Sequence, residues 1–466
     1  MNNNTENEPI KVSFVTLGCA KNLVDSEKML GLLGGAGFML TGPDTPCDVT
    51  IINTCGFIEE ARDEAMENIE EVLERKRQGQ TKIVIVTGCL AQLWQGELLE
   101  KQPEIDAVLG LDRRDKIVGI VNELLSDSGL ANNLQVTKGE FRDVANDQGR
   151  LRITESCWGY LRISEGCDQK CTFCTIPFIR GNFRSKPMDA VIEEAKELAN
   201  DGVVELNLIG QETSGYGQDL NDGYGLAELL VELNKIEKLK WIRVLYVHPA
   251  TLSDKIIEAM AKLEKVVPYI DIPLQHISDN ILKLMNRKLT KSQTIELLEK
   301  IRKQIPDVTL RTTMLVGFPG ETDDDFAQLL EFVKECRFDA LSAFMYSFEK
   351  ETASAKLPGH IDEETQIKRY DAIMTTQQEI AFELADELTD KTIDCMITSA
   401  LFDDEADELG LDPDYRWVTG RHQGQGPEVD SVCYITVDPD LELTSGDILP
   451  IKIIGRLDYD LVGEIA

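Results

Sequence analysis

Three cysteines, Cys167, Cys171 and Cys174, lie within eight residues of the stretch EGCDQKCTFCTIP. Soft thiolates select iron–sulfur clusters or zinc. Three protein ligands leave one coordination position for a group that reacts, whereas a closed structural site usually has four. Zinc would need a fourth ligand, and no histidine lies nearby, the four being His248, His276, His360 and His422. The spacing therefore favours a reactive metal site over three unrelated thiols.

A second set of three cysteines is spread over the first part of the chain. Cys19 ends FVTLGC, Cys55 ends IINTC and Cys89 ends IVIVTGC, so each follows a short β-branched apolar run. Parallel strands present their carboxyl ends along one edge of a sheet, where open α/β sheets bind ligands. Three thiols far apart in sequence can therefore meet at this edge. The alternative is that they are small apolar core residues, since free cysteine is often buried.

The elements around these cysteines predict an α/β protein of three domains. Over residues 1–125, apolar runs alternate with helical patterns such as FIEEARDEAMENIEEVLERKR, which predicts a parallel sheet with helices on its faces. Residues 126–150 show little periodicity and are predicted to be a linker. Residues 151–385 hold six strand candidates, fewer than the eight that close a (β/α) barrel, so we expect an open partial barrel. Residues 386–466 predict a small antiparallel β-barrel.

The six strand candidates of the partial barrel alternate with helical patterns such as DAVIEEAKELAN and TKSQTIELLEKIRKQ. The candidates are YLRISEG, VVELNLIG, WIRVLYV, YIDIPLQ, TLRTTMLVG and ALSAFMYSF. Loops beyond the carboxyl ends of barrel strands carry the active site in this kind of fold. The cysteine triplet directly follows the first candidate, which is a position suited to chemistry.

The net charge and the cysteine content indicate which binding partners and which location to expect for this protein. The 466-residue chain has a formal charge of −35, and residues 386–466 carry −15 of it, with 20 Asp and Glu against 5 Lys and Arg. Such acidity argues against nucleic acid as the direct substrate but allows a basic protein partner. Eleven cysteines without a disulfide pattern, a polar start and no apolar run of ~18 residues predict a cytoplasmic protein that does not cross a membrane.

The triplet, with Phe173 before its last cysteine, resembles the motif of the radical S-adenosylmethionine (SAM) superfamily. The wider chain resembles the methylthiotransferases in TLGCAKNLVDSE, INTCGFIEEA, VTGCLAQ, PLQHISDNILKLMNR and GFPGETDDDF, and GRHQGQGPEVD resembles their terminal TRAM barrel. The resemblance implies two four-iron four-sulfur clusters and SAM. It assigns the SAM-binding cluster to Cys167, Cys171 and Cys174, and an auxiliary cluster to Cys19, Cys55 and Cys89.

The resemblance places SAM contacts near the strand ends of the partial barrel. The candidates are Phe173, Gln211, Glu212, Thr213, Arg311, Gly317 and Glu321. The alternative for the Gly-Phe-Pro-Gly stretch is a plain tight turn. His276 either points into the site or is a hydrogen-bonded, half-buried imidazole. The remaining cysteines match no motif and are predicted to be structural: Cys47, Cys157, Cys336, Cys395 and Cys433.

Within the family, the motifs and the acidic last domain favour the branch that modifies small-subunit ribosomal protein twelve. The implied reaction is methylthiolation of the β-carbon of an aspartate, which needs a radical because no side-chain base deprotonates such a carbon usefully near neutral pH. An electron donor and a sulfur source must take part, and the sequence identifies neither. The alternatives are the same chemistry on a tRNA adenosine, and a non-catalytic iron–sulfur or zinc protein that binds ribosomes.

Overall fold

The computed structural model describes residues 9–126, 134–136, 144, 146–221 and 223–466. The chain divides into two compact units. The first comprises residues 1–153, 165–168 and 175–186, and the second comprises residues 154–164, 169–174 and 187–466. Within the described ranges, no helix is both long and apolar enough to span a membrane.

Strands and helices are numbered along the chain. The strands are β1 (Lys11–Thr16), β2 (Met39–Thr41), β3 (Val49–Thr54), β4 (Ile83–Gly88), β5 (Ala107–Leu109), β6 (Leu134–Val136), β7 (Trp158–Arg162), β8 (Ser164–Glu165), β9 (Arg184–Ser185), β10 (Glu205–Ile209), β11 (Trp241–Val244), β12 (Val266–Asp271), β13 (Thr309–Val316), β14 (Ala340–Met345), β15 (Thr392–Ala400), β16 (Arg416–His422), β17 (Cys433–Val437), β18 (Ile448–Leu457) and β19 (Asp460–Ile465). The helices are α1 (Ala20–Gly35), α2 (Glu59–Arg77), α3 (Cys89–Trp94), α4 (Gly96–Lys101), α5 (Ile117–Leu125), α6 (Ile176–Arg180), α7 (Met188–Asn200), α8 (Leu226–Asn234), α9 (Asp254–Lys262), α10 (Asp279–Leu284), α11 (Lys291–Gln304), α12 (Asp323–Cys336), α13 (Glu363–Asp386) and α14 (Asp403–Glu408).

The first unit is built on a parallel sheet with the strand order β2-β1-β3-β4-β5-β6. Side chains alternate between its two faces, as a strand requires. Ile51 packs with Met29 of α1 and Ile117 of α5, whereas its neighbour Ile52 packs with Ile69 of α2 on the opposite face. The predicted parallel sheet with helices on its faces is confirmed.

The range predicted as a linker contributes to this unit. β6 adds to the sheet beside β5, and Asp147 is fully buried. Residues 127–133, 137–143 and 145 of that range lie outside the described residues. The predicted domain boundaries therefore stay predictions.

The second unit contains an open parallel sheet in which each of the six predicted strands is present, in the order β14-β13-β12-β11-β10-β7. Leu206 and Leu208 of β10 belong to the large apolar cluster that includes Leu198 of α7 and Leu229 of α8. The opposite face of the sheet carries a set of polar side chains. We call this polar set the barrel floor, and it consists of Tyr160, Glu205, Arg243, Tyr269 and Arg311.

The C-terminal segment of the second unit is a closed barrel with the order β15-β16-β17-β19-β18. Its strand pairs are antiparallel, except that β17 and β19 run parallel. The prediction of a small barrel is confirmed, with this one parallel pair as a difference that short apolar runs cannot reveal.

The closed barrel contributes charged partners to the barrel floor. Arg421 of β16 donates to Glu205 (2.6 Å), the Tyr160 hydroxyl donates to Glu428 (2.8 Å), and Arg311 Nε donates to Asp430 (3.2 Å). These bonds join the closed barrel to the polar face of the open sheet.

Candidate functional site

Cys19, Cys55 and Cys89 lie at the carboxyl edge of the first unit's sheet. Cys19 precedes α1, Cys55 follows β3 directly, and α3 begins at Cys89. The strands before them, β1, β3 and β4, are neighbours in the sheet. Gly18 has φ +90°, and a Cβ at this position would stand 2.8 Å from Cys55 Cβ. Only glycine therefore allows the loop after β1 to approach Cys55 this closely.

Asn22 braces this edge from the first turn of α1. Its Nδ2 donates to the carbonyl oxygens of Leu17 (3.1 Å) and Thr54 (2.9 Å), which tie the loops after β1 and β3 together. Its Oδ1 accepts from the Cys89 thiol (3.4 Å). Asn22 is fully buried, so one amide fixes the segments that carry all three cysteines.

The three thiols differ in acidity. Burial raises the pKa of the Cys89 thiol to about 12 and also raises the pKa of Cys55. Cys19 is exposed; desolvation by the surrounding protein would raise its pKa, but the charges of Lys21 and Arg180 outweigh this effect and lower the pKa. Cys19 and Cys55 each act on the pKa of Cys89, as neighbouring thiolates do. Metal binding needs thiolates, so Cys19 is the member closest to its ligating form.

Arg180 is a site residue that the sequence motifs did not identify. It ends α6, directly after the cysteine triplet in the chain, and is buried. Its Nη2 donates to Asn22 Oδ1 (2.6 Å) and to Cys89 Sγ (3.5 Å). A permanent positive charge therefore contacts one of the three sulfurs.

Cys167 belongs to the first unit, whereas Cys171 and Cys174 belong to the second. In the first unit, Gly166 has φ +77°, and a Cβ there would stand 2.1 Å from the Asn182 carbonyl oxygen. The next residue, Cys167, donates its backbone N–H to the Gly181 carbonyl (3.3 Å). Glycine at position 166 thus lets the segment before Cys167 lie against residues 181–182.

In the second unit, the segment of Cys171 and Cys174 is anchored on both sides. The Thr172 hydroxyl donates to the Leu284 carbonyl (2.8 Å), and Phe173 packs edge to face on Phe318 with ring centres 6.4 Å apart. Arg287 Nη1 donates to Cys171 Sγ (3.5 Å). Arg287 is another contact that the sequence did not predict, although it lies in the quoted stretch PLQHISDNILKLMNR.

The predicted SAM contacts after β10 have different surroundings. Glu212 is buried, and its carboxylate accepts from Gln169 of the motif loop (2.9 Å) and from Thr251 (2.6 Å). The Thr213 hydroxyl donates to the Leu245 carbonyl (2.6 Å). Gln211 lies two residues after the end of β10 and is half-buried. Glu212 thus has a side-chain bond to the motif loop.

The predicted contacts on β13 make structural bonds. Arg311 is the third residue of β13, in the barrel floor, and its partners are Asp271 (3.3 Å) and Asp430 (3.2 Å). At the other end of the strand, Glu321 accepts from the backbone N–H groups of Gly317 and Phe318. The Gly-Phe-Pro-Gly stretch therefore forms a turn closed by Glu321. The roles of Arg311, Gly317 and Glu321 toward SAM stay predictions.

His276 and the unassigned cysteines lie inside the protein. His276 is fully buried, and its Nδ1 accepts from the Ser278 backbone N–H (3.0 Å), so it is buried more deeply than the half-buried alternative suggested. The five cysteines predicted to be structural are buried: Cys47, Cys157, Cys336, Cys395 and Cys433.

Soft thiolate donors are typical of zinc sites and of iron–sulfur clusters. In the described part of the chain, no three His, Cys, Asp or Glu side chains converge closely enough to hold one metal ion. An iron–sulfur cluster distributes its thiolate ligands over several irons. At this sheet edge such a cluster would use the thiols of Cys19, Cys55 and Cys89, and Arg180 contacts Cys89.

Family comparisons assign the class of protein. Residues 161–333 match the Radical SAM superfamily, residues 11–110 match the Uncharacterized protein family UPF0004, and residues 398–466 match the TRAM domain. The fold is similar to that of the radical SAM methyltransferase TsrM from Kitasatospora setae, with a TM-score of 0.51 at 12% identity over 84% of this chain and 79% of that one. It is also similar to the cobalamin-dependent radical SAM enzyme OxsB, with a TM-score of 0.50 at 14% identity over 79% of this chain and 56% of that one.

Full-length relatives then identify the family. The chain is 43% identical to the ribosomal protein uS12 methylthiotransferase RimO of Clostridioides difficile, over 98% of this chain and 99% of the relative. It is 40% identical to the protein of the same name from Geotalea uraniireducens, over 98% of each. The chain belongs to the RimO family of radical SAM methylthiotransferases, which confirms the family resemblance and the predicted fold class.

Proposed function

We propose that this protein transfers a methylthio group to the β-carbon of an aspartate in ribosomal protein uS12. The relatives named above, which match it from end to end, are named for that substrate. The observation that carries the proposal is the gathering of Cys19, Cys55 and Cys89 at one sheet edge, in a chain that also holds a radical SAM triplet. Two cysteine sets suit a reaction that needs both a radical and a sulfur carrier.

The cofactors are SAM and two four-iron four-sulfur clusters. Cys19, Cys55 and Cys89 hold one cluster, and the triplet holds the other and leaves one iron for SAM. When bound, SAM and its cluster supply the 5′-deoxyadenosyl radical that can remove hydrogen from an unactivated carbon. Residues of this chain position the thiolates, through Asn22 and Arg180 in the first unit and through Arg287 at Cys171 in the second.

The acidic last domain supports a basic protein as substrate. Residues 386–466 carry a net charge of −15, and acidic side chains of α14 and the following loop, including Glu405, Glu408 and Asp414, are exposed. Such a surface attracts a Lys- and Arg-rich protein and repels phosphates. An electron donor and a sulfur source complete the reaction, and eleven cysteines with no disulfide among them favour the reducing cytoplasm as its place.

The test is anaerobic methylthiolation followed by mass spectrometry. The full chain is reconstituted with iron and sulfide, given SAM and a chemical reductant, and offered uS12 and tRNA in parallel. We expect a methylthio mass increase on one aspartate of uS12 and unchanged tRNA. A mass increase on tRNA alone would contradict the proposed substrate.

Cysteine variants test the ligand sets in the same assay. Cys89→Ser is expected to lose about half of the bound iron and all uS12 product, because one cluster loses a ligand. Cys47→Ser is the matched control, since Cys47 lies buried in the same unit, beside Thr50, and should keep both iron and product. Full iron in Cys89→Ser would contradict the assignment of the auxiliary site.

A further inference from the structure

Buried ion pairs form a continuous chain in the first unit. Each member has a side chain at most 9% exposed. The N···O distances along this ion-pair chain lie between 2.7 and 3.1 Å. In order, its members are Lys186, Asp147, Arg114, Asp25, Arg180 and Glu165.

The ion-pair chain contains three cations and three carboxylates, so its formal charges balance. Arg180 is the member that also contacts a sulfur. Its Nη1 donates to Asp25 and Glu165, and its Nη2 donates to Asn22 and Cys89. An arginine guanidinium stays protonated in proteins, and the carboxylates of Asp25 and Glu165 lie 3.1 and 3.0 Å from its nitrogen. The cation is therefore always present and is held in place by four partners.

A fixed cation at a ligand sulfur changes the energetics of electron transfer. Reduction adds negative charge to an iron–sulfur cluster, and hydrogen bonds to its sulfurs and the local net charge set its reduction potential. The effect is stronger in a buried site than in water, since charges there are less screened. Removing Arg180 would also leave Asp25 and Glu165 with one cation fewer, which disfavours the reduced state further.

We propose that Arg180 is a positioning residue that sets the reduction potential of the cluster held by Cys19, Cys55 and Cys89. The inference rests on the proposed function, because it takes the assignment of that cluster from it. The inference goes beyond that function because Arg180, which is not an iron ligand, would determine how easily the auxiliary cluster accepts an electron.

The test uses a full-length parent in which Cys167, Cys171 and Cys174 are all changed to Ala, so that only the first unit can hold a cluster. Iron content, electron paramagnetic resonance and an anaerobic potentiometric titration are measured on this parent and on three variants of it. Arg180→Gln is expected to lower the midpoint potential by about 59 mV, which is a tenfold change in a one-electron equilibrium. Arg180→Lys keeps the charge and should shift the potential less.

Arg114→Gln is the matched control. It removes an equally buried guanidinium from the same ion-pair chain, two ion pairs further from Cys89. The expected shift is smaller than that of Arg180→Gln. An equal or larger shift with Arg114→Gln would overturn the role of the sulfur contact.

The outcomes separate this inference from the proposed function. A parent that binds no iron would overturn the ligand assignment, and the inference with it. A parent with a normal cluster, and a folded Arg180→Gln with unchanged potential and spectrum, would overturn the inference alone. If Arg180→Gln does not fold, Asp25→Asn decides, because removing a negative charge beside Arg180 should raise the potential, and an unchanged or lower value overturns the inference.

Discussion

The barrel floor of the second unit and the ion-pair chain of the first unit both contain buried arginines, but the partners of these arginines differ. In the floor, Glu205 lies between Arg243 (2.9 Å) and Arg421 (2.6 Å), and all three side chains are at most 3% exposed. In the ion-pair chain, Arg180 has two carboxylate partners and still contacts Cys89 Sγ. In the floor, Glu205 is the ion-pair partner of both arginines. In the ion-pair chain, Arg180 also contacts the sulfur of a proposed metal ligand. Buried arginine–carboxylate pairs thus stabilise the fold in the second unit, whereas in the first unit they also position a cation at a candidate metal-binding sulfur.

The largest effect is expected from Glu205→Gln. This change leaves two buried guanidinium groups without their shared carboxylate, which destabilises by about 3–5 kcal/mol. Urea unfolding followed by tryptophan fluorescence reports it, since Trp158, Trp241 and Trp417 lie in the second unit. Glu237→Gln, at an exposed position, is the control and should change stability by less than about 0.5 kcal/mol. A small effect at Glu205 would mean that the floor does not lock the closed barrel to the open sheet.

Asp25→Asn is expected to have a smaller effect on stability. Asp25 accepts from Arg114 (3.0 Å) and Arg180 (3.1 Å), but Asp147 and Glu165 still compensate those cations. We expect a loss of about 1–3 kcal/mol, the usual cost of an impaired buried hydrogen bond, in thermal unfolding of the first unit. A loss of stability as large as that of Glu205→Gln would contradict the proposed difference between the ion-pair chain and the barrel floor.

At pH 7 the smallest effect is expected from a buried histidine, His276, because its contribution to the free energy of unfolding appears only as the pH is lowered. Burial lowers the pKa of His276 to about 3, with Asp325 opposing the shift and Arg369 adding to it. Between its usual pKa and that value, the unfolded chain binds a proton that the folded chain does not, so stability falls as the pH is lowered through this window. His276→Gln should remove about 1.4 kcal/mol per pH unit from that slope.

Measurement of the urea midpoint between pH 7 and pH 4 checks this prediction. His248 and His422 have pKa values lowered in the same direction, so the variant keeps part of the acid sensitivity. An unchanged slope would show that His276 is protonated in the folded protein.

Local patterns predicted the strands and the cysteine edges, because these depend on side chains near each other in sequence. The runs before Cys19, Cys55 and Cys89 are short and β-branched, and a parallel sheet necessarily brings their ends to one edge. The roles of Arg180 and Arg287 could not be predicted in this way. Their sulfur partners are 91 and 116 residues away, and no periodicity encodes which thiol a distant guanidinium contacts.

Arg311 is a second residue whose contacts could not be predicted from local sequence patterns. Its motif position suggested a cofactor contact, and in the structure its partners include Asp430, 119 residues away in the closed barrel. The strand pattern predicts that Arg311 lies on β13. It does not predict that the closed barrel supplies a carboxylate at that depth.

The distance in sequence between Glu205 and Arg421 has a consequence for synthesis. The two residues are 216 positions apart, and translation proceeds at about 5–20 residues per second. Glu205 therefore emerges from the ribosome about 10–40 s before its second arginine. During that interval the nascent open sheet cannot complete its floor, so the last step of folding waits until almost the whole polypeptide has been made.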